Sequence, residues 1–161
     1  MRAAILTVSS SVAAGVNEDA SGAALAELAA AAGAEVVAQA TVPDDSRLIE
    51  AWLREQVDQR VDLILTTGGT GFTPDDVTPE ATRAVIERDA PGIAEAMRAR
   101  SLAHTPMGML SRGVSGIAGG SLIVNFPGSP KAVRQLFGVI APVLAHAVGT
   151  LHREPGQPSG H

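Results

Sequence analysis

A length of 161 residues, 45% of them hydrophobic and 18% charged, is enough for one globular domain with a full core and excludes a disordered segment. A net charge of −5 argues against nonspecific nucleic-acid binding. The lack of cysteine excludes a disulfide, a thiol nucleophile and a thiolate metal site, and it fits a reducing, cytoplasmic compartment.

Ala3 to Val8 is a near-continuous apolar run, the pattern of a strand buried on both faces. It is too short for a signal peptide and runs directly into polar residues. No apolar run of transmembrane length is expected, so no membrane partner is either. Ser9, Ser10 and Ser11 open a loop. Asp19 or Ser21 then caps a helix with Leu25, Leu28, Ala29 and Ala32 at helical spacing, and Gly33 ends it.

Glu35 to Val42 reads as a second strand. Pro43, Asp44 and Asp45 turn the chain into a helix whose buried stripe is Leu48, Ile49, Trp52, Leu53 and Val57. Val61 to Thr66 is the third strand. After a Gly-rich loop, Thr78 and Pro79 start a helix as cap and first helical residue, and it ends near Asp89. Another helix runs from Pro91 to about Ala103. The pattern weakens over His104 to Arg112, where Met107, Met109 and Leu110 suggest a partly buried surface.

Gly113 to Ala118 and Ser121 to Phe126 read as strands joined by a Gly119-Gly120 hairpin. Ser129 and Pro130 open the last helix, with Val133, Leu136, Phe137, Ile140, Leu144, Ala147 and Leu151 as its stripe. Pro142 should kink it or divide it in two. The expected organisation is one domain over residues 1–153 and a Pro- and Gly-rich flexible tail over 154–161. Strands alternating with helices predict an α/β fold with a mostly parallel sheet, and the hairpin adds one antiparallel strand.

The Gly-rich loop reads TTGGTGFTPDDVTPE, Thr66 to Glu80. A strand, a Gly-rich loop and a helix together place backbone N–H groups around an anion. Gly68, Gly69 and Gly71 let a ligand approach the main chain, and Thr70 adds a hydroxyl. Asp75 and Asp76 would repel phosphate unless a cation sits between, and Mg²⁺ is held by one or two carboxylates plus substrate phosphates. No Gly-Lys-Ser/Thr follows, so this is not a P-loop.

Ligands of open α/β sheets bind outside the carboxyl ends of the strands. Parallel strands would bring four segments to that rim: Ser9-Ser10-Ser11, Pro43-Asp44-Asp45, Gly68 to Asp76, and Asn125-Phe126-Pro127-Gly128-Ser129. Each residue also has a structural reading. Asp44 or Asp45 suits a helix cap, as does Ser129, whose helix end would also point N–H groups at an anion. Ser111 is a further candidate, and Arg112 either pairs with phosphate or is solvated. His104, His146, His152 and His161 show no metal-ligand spacing.

TTGGTGFTPDDVTPEAT resembles the signature of the molybdenum cofactor biosynthesis proteins, the family of bacterial molybdopterin adenylyltransferase and the N-terminal domain of gephyrin. The resemblance continues through APGIAEAMR (Ala90 to Arg98), TPMGMLSRGVSGIAG (Thr105 to Gly119) and LIVNFPGSP (Leu122 to Pro130). It implies a three-layer α/β/α fold and Mg²⁺- and ATP-dependent transfer of AMP to the terminal phosphate of molybdopterin. It marks Asp44 and Asp76 as the family's essential aspartates and tentative Mg²⁺ ligands, which leaves capping to Asp45 or Ser46. The implied substrate contacts are Ser9, Ser10, Gly68, Gly69, Thr70, Gly71, Ser111, Asn125, Pro127, Gly128 and Ser129. Members are commonly trimers, and other molybdenum cofactor biosynthesis proteins are implied partners. Asp75 stands where relatives vary. Ser10 stands where many relatives carry Asp, which admits a second expectation, a paralogue that binds molybdopterin or nucleotide with little turnover.

Overall fold

The computed structural model describes residues 1–158; the end of the expected tail, residues 159–161 with His161, lies outside them. The chain forms β1 (Arg2–Val8), α1 (Ser10–Ala13), α2 (Ala20–Ala31), β2 (Glu35–Val42), α3 (Ser46–Asp58), β3 (Leu63–Thr67), α4 (Thr78–Val85), β4 (Arg88–Asp89), α5 (Pro91–Leu102), β5 (Ser115–Ala118), β6 (Ser121–Phe126) and α6 (Pro130–Leu151), with a 3-10 turn at Pro106–Leu110.

One six-stranded sheet has the order β2-β1-β3-β6-β5-β4. β1 pairs in parallel with β2 and β3, and β3 with β6, while β5 is antiparallel to both neighbours. The sheet is therefore mixed, with β5 as the single reversed strand, as the hairpin predicts.

Alternation along each strand divides the core into two layers. Ala3, Ile5, Leu63, Leu65, Leu122, Val124 and Phe126 pack with α2, α5 and α6 through Leu25, Met97, Phe137 and Ile140. Ala4, Leu6, Val8, Ile64 and Ile123 face the other way, toward Ile49 and Leu53 of α3 and Ala81 and Val85 of α4. Each Leu or Ile fully buried this way contributes roughly 1.5–3 kcal/mol. With no tyrosine and one tryptophan, small aliphatic side chains carry almost all of that burial. The result is the three-layer α/β/α arrangement.

Several local expectations are corrected. Ser10–Ala13 is a short helix capped by the Ser9 side chain, not a loop. Thr78 is inside α4 and Val77 is its cap, because the Thr78 hydroxyl donates to the Gly68 carbonyl instead. α4 stops at Val85, because Ile86 turns extended and Arg88–Asp89 pairs with β5. Met107 and Met109 are exposed, at 62% and 65%, as is Leu110.

α6 runs unbroken through Pro142. The carbonyl left without a helix donor belongs to Gly138 on the exposed face, where water can satisfy it. At 22 residues α6 is also long and apolar enough to cross a bilayer, contrary to the expectation of no such segment. Of its buried stripe, Val133, Leu136, Phe137, Ile140 and Leu144 join the core cluster with the sheet, and Val148 is buried beyond them.

Candidate active site

β1 is flanked by β2 on one side and β3 on the other, so the chain order reverses at this point in the sheet. The carboxyl ends of β1 and β3 open into the crevice such a reversal creates. Glycine makes the close approach possible. Gly68 has φ +96°, and a Cβ there would lie 2.2 Å from the Val8 carbonyl oxygen at the end of β1. A Cβ on Gly128 would meet the Gly68 Cα at 3.4 Å, and the Gly68 N–H donates to the Phe126 carbonyl at the end of β6. Three strand ends are thus drawn onto one glycine.

Two cavities flank the Gly-rich loop. The polar one, about 400 Å³, is lined by Ser9, Asp44, Gly68, Gly69, Asp76 and Gly128 among others. The N-terminal end of α6, at Pro130, also borders it, which favours an anion, while the end of α2, at Ala20 and Ser21, is already capped by the Asp19 carboxylate. The apolar one, about 330 Å³, is lined by Ala94 and Met97 of α5, Ala132 and Leu136 of α6, and Met107 and Leu110 of the 3-10 turn. Thr70, Gly71, Ser111, Asn125 and Pro127 form its polar edge.

Each aspartate of the polar cavity is held by a neighbour's main chain and hydroxyl. Asp44 Oδ2 accepts from the Ser10 N–H at 3.1 Å and from the Ser10 hydroxyl at 2.9 Å, and the Asp44 N–H donates back to Ser10 Oγ at 3.0 Å. Asp76 Oδ2 accepts from the Thr73 N–H at 2.9 Å and the Thr73 hydroxyl at 2.8 Å. Among the described residues, neither Oδ1 accepts a hydrogen bond. One carboxylate oxygen on each of two acids suits Mg²⁺, a hard ion that takes one or two carboxylates and completes its shell with phosphate and water. Among the described residues no three His, Cys, Asp or Glu side chains gather into an all-protein metal cage. Capping of α3 falls to Asp45, which accepts from the Arg47 and Leu48 N–H groups.

Other predicted residues have internal tasks. The Asn125 Nδ2 donates to the hydroxyls of Thr66 and Thr82, and its Oδ1 accepts from the Val114 N–H. Both amide hydrogens are spent, so only its Oδ1 and its surface remain for the cavity. Ser129 caps α6 by accepting from the Ala132 N–H, between the two cavities. Asp75 is exposed on the loop's outer side. Arg112 is partly exposed but not free. Its Nε donates to the Gly71 carbonyl and its Nη2 to the Asp76 carbonyl, both at 2.7 Å, and it pairs with Glu80. The hydrogen bond from Arg112 holds the Glu80 carboxyl below its usual range, against a smaller opposing effect of burial.

The sequence profile of the family described as "Probable molybdopterin binding domain" matches residues 4–146. The chain belongs to this family. Among relatives of this family member, the Drosophila melanogaster molybdenum cofactor synthesis protein cinnamon is 48% identical over 108 residues, 66% of this chain and 18% of that protein. The molybdopterin adenylyltransferase of Helicobacter pylori strain J99 is 43% identical over 108 residues, 66% of this chain and 61% of that protein. The match thus spans less than two thirds of the length of either relative. The crystal structure of the molybdopterin biosynthesis enzyme MoaB from Thermus thermophilus superposes with a TM-score of 0.89 at 45% identity, covering 97% of this chain and 99% of that one.

Sequence reasoning did not single out the apolar cavity of this family member. Leu136 lies in the apolar stripe of α6 and reads as core, and Met97 of α5 was not singled out. Only Thr70, Gly71, Ser111, Asn125 and Pro127 at its edge carried a signal.

Proposed function

We propose that residues 1–153 form one cytoplasmic domain that acts as a molybdopterin adenylyltransferase, moving AMP from ATP to the terminal phosphate of molybdopterin with release of pyrophosphate. The observation that carries this reading is the meeting of Asp44, Asp76, Gly68 and Gly69 in one cavity, with an oxygen on each acid that has no partner among the described residues. Both substrates are polyanions. Two unit charges 4 Å apart repel by about 4 kcal/mol at an effective dielectric of about 20, so joining two phosphates needs positive partners. Mg²⁺, held by Asp44 and Asp76, supplies charge neutralisation at the attacked phosphate and the leaving pyrophosphate when bound.

The chain's own residues supply position. The Gly69 N–H, the Ser9 hydroxyl and the start of α6 receive phosphate oxygens in the polar cavity, while Gly68, whose N–H is spent on the Phe126 carbonyl, lets them approach the main chain. The apolar cavity takes a flat ring, with Thr70, Ser111 and the Asn125 Oδ1 at its polar edge and Met97 and Leu136 excluding water. No strong base is required, because the attacking phosphate is already ionised. Ser10 replaces a frequent Asp without unseating Asp44, since its hydroxyl and N–H clasp that carboxylate. A homotrimer is part of the proposal, with the exposed Met107 and Met109 as contact candidates; a monomeric mass in solution would remove that part.

The deciding assay combines purified protein, molybdopterin, Mg²⁺ and ATP and scores AMP-linked pterin and pyrophosphate. Product formation is expected. Binding of both substrates without pyrophosphate release would overturn the reading.

A further inference from the structure

Arg112 follows Ser111 in the segment between the 3-10 turn and β5, and it reaches back to the Gly-rich loop with four groups. Its N–H donates to the Thr70 carbonyl at 2.8 Å. Its Nε takes the Gly71 carbonyl and its Nη2 the Asp76 carbonyl, each at 2.7 Å. Its Nη1 pairs with Glu80 on α4. The guanidinium is a planar fork of fixed geometry, so the two carbonyls it joins are held at a set spacing. Gly71 borders the apolar cavity and Asp76 the polar one. Between them Phe72 is 66% exposed, so core packing does not fix the loop's tip.

We propose that Arg112, seated by Glu80, is the positioning residue that sets the distance between the two cavities by bridging the Gly71 and Asp76 carbonyls. It lines neither of the two cavities, so it acts through Asp76. Lysine keeps the charge but is a point donor on a flexible stem, and it cannot span two carbonyls and a carboxylate at once. The kinetic part of this proposal rests on the adenylyl-transfer reading, and the structural part does not.

The test compares wild type with Arg112→Lys and Arg112→Ala by hydrogen exchange, thermal melting and steady-state kinetics. In Arg112→Lys, exchange of the 71–76 amides should rise at least about tenfold while the rest of the chain keeps wild-type protection. Its kcat should fall about 100-fold with KM for ATP within about 3-fold, because a displacement of about 1 Å costs rate rather than binding. Free guanidinium should restore part of the Arg112→Ala rate.

Unchanged loop exchange in Arg112→Lys would overturn the bridge. Wild-type kcat in Arg112→Lys would overturn its role in the reaction. A uniform rise in exchange with a parallel fall in melting temperature would reduce Arg112 to general stability and also overturn it. If wild type itself forms no AMP-linked pterin, the adenylyl-transfer reading fails, and the exchange result alone decides the bridge.

Discussion

The two cavities are built in opposite ways. Turns make the polar one: Asp44 and Asp76 each lean on a neighbouring Ser or Thr, and Gly68 lies too close to Val8 to carry a side chain. Helices make the apolar one: Ala94 and Met97 come from α5 and Ala132 and Leu136 from α6, and several of these also belong to the core. On the proposed function, chemistry would sit on backbone that contributes little burial, while ring binding would share side chains with folding. Damage to the first should appear as lost rate, and damage to the second as lost stability.

The largest expected effect breaks or confirms that division directly. Asp76→Asn keeps an acceptor for Thr73 but removes the charge, so kcat for AMP transfer should fall by about 10²–10³. Its unfolding free energy should stay within about 1 kcal/mol of wild type in a denaturant titration. An Asp76→Asn protein with the wild-type rate would remove this residue from the mechanism.

Leu136→Ala is the converse. Leu136 is 4% exposed and lies in both core and cavity, so truncation should cost about 3 kcal/mol in the same titration. Ligand affinity should fall as well, with kcat at saturation nearly unchanged. A loss of kcat with full stability would erase the distinction between the cavities.

The smallest effect sharpens the comparison. Ser10→Ala removes the hydroxyl on Asp44 but leaves the Ser10 N–H contact in place. A hydrogen bond of this kind is worth about 1 kcal/mol, so a rate loss of roughly 5- to 10-fold is expected, with the melting temperature lower by only about 2–4 °C.

The polar cavity was legible in the sequence because turn chemistry is written in residue types. Runs of Gly, Ser and Asp follow β1, β2 and β3, and parallel strands carry those runs to one end. The strands were legible because continuous apolar runs such as Ala3 to Val8 are buried on both faces. α1 and β4 were not, since α1 buries no residue and β4 has only two exposed ones. The apolar cavity was hidden because Leu136 belongs to the stripe that α6 needs for the core in any case. The hold of Arg112 was hidden for another reason: two of its side-chain partners are backbone carbonyls, which leave no mark in residue identity.

β4 has a consequence of its own. The sheet ends there in Arg88–Asp89, two charged residues in place of a full-length strand. A margin that short offers an incoming chain almost no ladder to extend, and opposite charges side by side discourage an apolar newcomer. Unwanted strand-to-strand growth into fibres is therefore closed off on this side, and β2, eight residues long at the opposite margin, is where it would have to begin.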